Sequence, residues 1–179
     1  YQRVVQPDRN DPTKITPILA ESWQADPAAK TLTIKLKSDA KFASGNPVSP
    51  EDVIYSYVRA VTLNKSGAFI LNVLGWQPEN IASQLKKIDD HTVQVQWSAD
   101  VSPALALNIL STPIASIVDE KLVAPNAKNN DFGNEWLKMH SAGSGAFKMR
   151  TYQPHQAIVM EANASSPTGA PKLKNVIIK

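Results

Sequence analysis

The chain has 179 residues, 42% of them hydrophobic and 20% charged, with a net charge of +3 and no cysteine. That composition supports one substantial apolar core, or one core with an appended piece, and it excludes disulfides and zinc-thiolate sites. No apolar run approaches the roughly 18 residues of a membrane span, and the opening YQRVVQPDRN is too polar for a signal peptide. The positive charge does not point to nucleic acid. Lysines stand singly or in pairs such as Lys86-Lys87 with acids near most of them, and arginine occurs only at Arg3, Arg9, Arg59 and Arg150, so no basic stripe forms. The start at Tyr1 and the apolar finish at Asn175 to Ile178 read as the ends of a fragment of a longer protein.

In chain order, the first clear signal is Thr31 to Lys37, where Leu32, Ile34 and Leu36 alternate with Thr33, Lys35 and Lys37. Period two predicts a strand with one buried face. Trp23 to Ala25 supplies a partner, with Asp26-Pro27-Ala28-Ala29-Lys30 as the turn. After Phe42 and a turn around Ser44-Gly45-Asn46-Pro47, a helix is announced: Ser49 as N-cap, Pro50 at the first helical position and Asp52 three after the cap. Glu51 and Asp52 suit the positive end of its dipole. Val53, Ile54, Tyr57, Val58 and Val61 form its inward face.

Residues 63 to 77 are apolar but broken by Gly67 and Gly75, which predicts a loop or short helix with partly buried aromatics. Pro78 to Leu85 reads as one or two helical turns. Lys86 to Trp97 is a second hairpin turning at Asp89-Asp90-His91. Pro103 to Leu110 is a short buried helix, Asp119 to Val123 a further one, and Phe132 to Met139 is weakly helical. From Gly143 onward, two strand-like runs joined by Gln153-Pro154-His155-Gln156 make a third hairpin, and Asn175 to Ile178 is a last strand.

No catalytic constellation emerges. His91, His140 and His155 stand alone in predicted turns or loops and read as solvent-exposed. Asp89-Asp90 is ordinary turn chemistry rather than a metal pair. Gly143-Ser144-Gly145 leads into a strand, with no GxSxG frame and no P-loop Lys-Ser/Thr, so a tight turn is the better reading than a phosphate loop or nucleophile elbow. Trp23, Trp76, Trp97 and Trp136 are core residues or, alternatively, line a ligand cleft. The residues alone yield a mixed α and β chain in which binding is favoured over catalysis.

Four ordered phrases add a resemblance. ITPILAESWQADPAAKTLTIKLKSDAKFASGNPVSPEDVIYSYVRAV, KKIDDHTVQVQW, GSGAFKMRTYQPHQAIVMEAN and TGAPKLKNVIIK resemble, in sequence order, phrases of the extracytoplasmic solute-binding proteins of peptide and nickel ABC transporters, the dipeptide- and oligopeptide-binding type. Three departures stand out: Ser44-Gly45 where the family has Asp-Gly, Gly143-Ser144-Gly145-Ala146 where it has Gly-Thr-Gly-Pro, and Ser166 and Pro167 where it has Tyr-Trp. The resemblance implies an α+β mixed fold of the type II periplasmic-binding-protein kind, with several antiparallel hairpins and packed helices. It further implies that residues 1–139 are the extra, inserted domain, that residues 140–179 are strands of the first ligand-binding lobe, and that the second lobe is absent.

The implied function is capture of a peptide or peptide-like solute outside the membrane and delivery to an ABC permease, by a monomer that is periplasmic or otherwise extracytoplasmic, lipid-anchored or free. A peptide-cue receptor of the same fold, or a binder of an opine, sugar conjugate or nickel chelate, is the alternative. No cofactor, directly ligated metal or enzymatic activity is expected. Carried over from the family, the loop Ser66, Gly67 to Phe69 and the residue Ser144 are the candidate ligand-binding positions, with turn geometry and core packing as the competing reading of each.

Overall fold

Strand pairing divides the chain into three antiparallel sheets, and the computed structural model describes all residues 1–179. β1 (Val5–Pro7) and β2 (Ile15–Pro17) form a two-stranded ribbon. β3 (Ala20–Asp26), β4 (Thr31–Leu36), β5 (Leu85–Lys87) and β6 (Thr92–Gln96) form a four-stranded sheet in the order β3-β4-β6-β5. β7 (Phe147–Gln153), β8 (Ala157–Ala162) and β9 (Asn175–Ile178) form the third in sequence order. The helices are α1 (Pro50–Leu63), α2 (Phe69–Asn72), α3 (Pro103–Leu110), α4 (Glu120–Val123) and α5 (Asn134–Leu137), none long and apolar enough to cross a membrane.

The alternation in β4 does what its pattern requires: Leu32, Ile34 and Leu36 are sealed while Lys35 faces water, and Val93 and Val95 of β6 continue the same buried face. α1 covers it with Val53, Tyr57 and Val61, and Ile54 and Val58 pack at its margin. Phe42, Trp76 and Trp97 complete this core, with the Tyr57 and Trp76 ring centroids 5.6 Å apart. Each such large apolar side chain contributes roughly 1.5–3 kcal/mol on burial. Trp76 is therefore fully enclosed rather than partly buried, and its indole donates to the Gln96 carbonyl at 2.7 Å.

α1 begins as the sequence predicts. The Asp52 N–H donates to Ser49 Oγ and the Ser49 N–H donates back to Asp52 Oδ2 at 2.8 Å, closing a capping box around Pro50. The helix stops at Asn64, which gives its N–H to the Ala60 carbonyl and then turns the chain away at a left-handed φ of 43°. α3 shares the Ser-Pro start without the reciprocal bond: Ser102 Oγ accepts the Leu105 N–H at 3.2 Å, with Pro103 at the first helical position. The β1–β2 ribbon is absent from the sequence reading; its connection is held by Asp8, whose Oδ1 accepts from the Asn10 and Asp11 N–H groups.

The large core runs from Val4 to Ile117 and includes no residue of β7, β8 or β9. A small second cluster, Val118, Val123 and Ala142, lies beside it. In the third sheet every β8 residue is half-buried, and the consecutive Ile177 and Ile178 of β9, which point to opposite faces, are 59% and 52% exposed. The segments flanking that sheet meet the rest through polar contacts: the Ala43 N–H donates to the Gly143 carbonyl at 3.0 Å and the Gln2 side chain to Thr168 at 3.3 Å.

Candidate ligand-facing cleft

Two neighbouring polar constructions organise the surface around α1. The first is a buried node. Asp52 Oδ1 accepts the Glu120 N–H at 2.8 Å, and Ser56, one turn along α1, donates to the Asp52 carbonyl while accepting the Val118 N–H at 2.9 Å. Asp119, fully buried, receives the Asn46 amide at 3.0 Å, the Ser44 hydroxyl and the Leu122 N–H. Its own N–H donates to the Ala142 carbonyl and the Ala43 N–H to the Gly143 carbonyl. The turn before α1 is thus tied to the segment before β7. Burial pushes the Asp52 carboxyl up, against the pull of its Ser49 and Glu120 hydrogen bonds, and burial with the neighbouring Asp52 and Glu51 charges pushes Glu120 up.

The second is a cleft of about 80 Å³ between α1 and the segments that follow α3 and precede α5. Its wall carries Arg59, Leu63, Lys65, Ile114, Ser116 and Asn134, and it continues past Arg59 toward Tyr1 and Leu137. Arg59 is half-buried, which pulls its pKa down, and its Nε–H donates to the Phe132 carbonyl at 3.0 Å. Phe132 sits at a left-handed φ of 48°, a conformation costly for a bulky residue. Arg59 and the Tyr55 ring, 6.1 Å from that of Phe132, hold it there. No acidic residue lines this cleft. The larger opening on the other side of α1 differs: there Lys87 is neutralised by Glu51 at 2.7 Å and Asp90 at 3.0 Å.

The sequence-predicted positions fall in two environments. Ser66 is exposed, Phe69 is 70% exposed, and Gly67, at φ +88°, faces the Ile114 side chain beside the cleft. Ser144 is sealed, its hydroxyl without a hydrogen-bond partner, three residues before β7. Ser66 and Phe69 can meet a solute directly, whereas Ser144 cannot without local opening. Arg59 and Lys65 were not singled out from sequence; the signal for Arg59 is its place on α1 one residue before Ala60 of the buried face. The three histidines are exposed, His140 stacking on Trp136 at 4.2 Å. Trp97 is buried and Trp23 and Trp136 are half-buried. No group of three or more histidine or acidic side chains is placed to hold a metal ion.

Comparison with known proteins gives this arrangement a family. The profile of the bacterial extracellular solute-binding proteins, family 5 Middle, matches residues 14–179. The "Probable D,D-dipeptide-binding periplasmic protein DdpA" of Escherichia coli K12 is 31% identical over 182 residues, spanning 100% of this chain and 33% of that protein. The periplasmic oligopeptide-binding protein OppA of the same organism is 30% identical over 173 residues, 90% of this chain and 30% of OppA. Among solved structures, AgaA of A. tumefaciens R10 in complex with agropinic acid superposes with a TM-score of 0.76 at 28% identity, covering 99% of this chain and 33% of AgaA. The chain spans about a third of the length of the relatives it matches. Its mixed helices and antiparallel sheets are those of a type II periplasmic binding protein, and the chain belongs to the bacterial extracellular solute-binding proteins, family 5.

Proposed function

We propose that this chain is part of the substrate-binding component of an ABC importer, which captures a peptide or peptide-like solute outside the membrane and delivers it to a permease. The match to the solute-binding family across residues 14–179 carries this reading, and the peptide-binding names of DdpA and OppA direct it toward peptides. Residues 1–139 act as the extra domain and residues 140–179 as strands of the first ligand-binding lobe. The absence of β7, β8 and β9 from the large core and the open faces of β9 support that division. The loop Ser66, Gly67 to Phe69 forms part of the solute-facing wall, and Ser144 supports the segment where the two parts meet. Capture by hinge closure of two lobes makes the protein a monomeric binder rather than an enzyme, working in the periplasm or at the outer face of the membrane, anchored or free. A second reading, an opine as solute, is favoured by the likeness to AgaA with agropinic acid.

The test is thermal melting of this chain and of the whole natural protein with a panel of dipeptides, oligopeptides and opines, since a solute that binds only the folded state raises Tm by mass action. A shift of the whole protein by one peptide class is expected. A shift by opines alone selects the second reading, and no shift by any member sinks the transport proposal.

A further inference from the structure

We propose that the cleft beside Arg59 binds the carboxylate of a small organic acid. The guanidinium offers five N–H donors, of which only Nε–H has a protein acceptor, the Phe132 carbonyl at 3.0 Å. Neither Nη has a protein acceptor, and Arg59 lines the cleft. Lys65 stands on the same wall and forms no ion pair, so two cations share an opening whose lining contains no acid.

The nearest acids are engaged elsewhere. Asp131 acts on Arg59 through space, but its oxygens accept the Lys128, Gly133 and Glu135 N–H groups at 2.8–3.0 Å. Glu135 acts on Lys65 in the same way and is bound to Lys138 at 2.7 Å. Ser116 spends its hydroxyl hydrogen on the Pro113 carbonyl, whereas Asn134 has one amide hydrogen on Glu135 and one free. The unpaired donors are thus Arg59, Lys65 and Asn134, a set that suits one planar anion.

Size and wall chemistry narrow the class. The part of the cleft beside Arg59, about 80 Å³, seats one small anion, and its continuation toward Tyr1 and Leu137 leaves room for the stem that anion carries. Leu63, Ile114 and Val118 supply apolar walls against which an alkyl stem packs; a tetrahedral oxyanion such as phosphate has no stem to place there and gains nothing from them. The cleft chemistry is independent of the transport reading, because a simple acid can occupy it whether or not a peptide is the transported solute.

The experiment follows the Arg59 Nε–H resonance by NMR in the folded chain during titration with sodium propionate, chloride being removed to hold ionic strength constant. A saturable shift is expected, absent at the exposed Arg9, weaker with inorganic phosphate, and with a Kd raised up to about fivefold by Lys65→Met, the effect of losing one exposed charge. Lys65 is exposed, so this variant retains the fold. A linear response, or one equal at Arg9, overturns the site, and tighter binding of phosphate than of propionate overturns the carboxylate assignment.

Discussion

Asp52 Oδ1 lies 2.8 Å from the backbone nitrogen of Glu120, so one carboxylate closes the capping box of α1 and also receives the first N–H of α4. Sixty-eight residues separate the two positions, and the contact fixes the path of the chain as it leaves the large core.

Replacing Asp52 with alanine strands the half-buried N–H groups of Ser49 and Glu120. The expected loss is about 2–3 kcal/mol, the scale for charged hydrogen bonds left half-made in a buried site, read from the urea midpoint at unchanged m-value. Ser49→Ala, which removes one cap hydroxyl and leaves the carboxylate in place, costs about 1 kcal/mol. An equal loss in both variants contradicts the double role.

Glu120 gives a pH signature. Its folded pKa is raised, so its contribution to stability is fully present below the usual carboxylate range and is lost as pH rises through the raised value. Glu120→Gln does not titrate. It therefore gains on the wild type as pH climbs above that range, by under about 1 kcal/mol because the side chain is partly exposed, and the two proteins converge in acid. Chemical denaturation from pH 3 to pH 8 measures the difference; a gap that widens in acid has the wrong sign.

The Tyr57 hydroxyl is buried without a partner, and burial pushes its pKa up. Tyr57→Phe keeps the ring against Trp76 and deletes an unsatisfied polar group, so stability is unchanged or rises by about 1 kcal/mol. A loss above that size in thermal or urea melts reveals a hydrogen bond to water at this hydroxyl.

Gly75 is at φ +78°, and a Cβ there meets the Ser98 side chain and approaches the Ala99 nitrogen to 3.0 Å. Gly75→Ala costs about 2 kcal/mol from the left-handed backbone and the crowding together. Gly45, also at positive φ but with open space around its Cβ position, isolates the backbone part; its alanine variant costs about 1 kcal/mol. The difference between the two melts measures the crowding alone.

The hairpins and the α1 cap were legible because each is written within a few consecutive residues: β4 alternates, Asp26 accepts the Ala28 and Ala29 N–H groups in the turn before it, and Ser49, Pro50 and Asp52 carry the cap. Family resemblance likewise rested on contiguous phrases. The β1–β2 ribbon escaped because three-residue strands carry too little periodicity, and its aspartate-held connection looks like any polar loop.

The site was less legible, for a different reason. Asp52 was readable as a cap but its bond to Glu120 depends on how distant segments meet. The same holds for Arg59, which lacks an acidic partner because the Asp131 oxygens are occupied by the Lys128, Gly133 and Glu135 N–H groups. Sequence spacing also could not separate Phe69, which projects into solvent, from Trp76, which is sealed, seven residues later on the same apolar stretch.

In the four-stranded sheet, β4 pairs on one side with β3 across a short turn and on the other with β6, Thr33 standing opposite Gln94. The β3–β4 ribbon closes a loop of a few residues and can form in microseconds. The β4–β6 register encloses α1, α2 and β5 and closes a loop about an order of magnitude longer, whose entropy must be lost before the shared face of Leu32, Ile34, Val93 and Val95 is sealed. The two edges of one strand thus belong to different kinetic classes: a substitution in the β3–β4 turn, formed before the barrier, alters mainly the rate of folding, and one at a part of the β4–β6 seam that is sealed after it alters mainly the rate of unfolding.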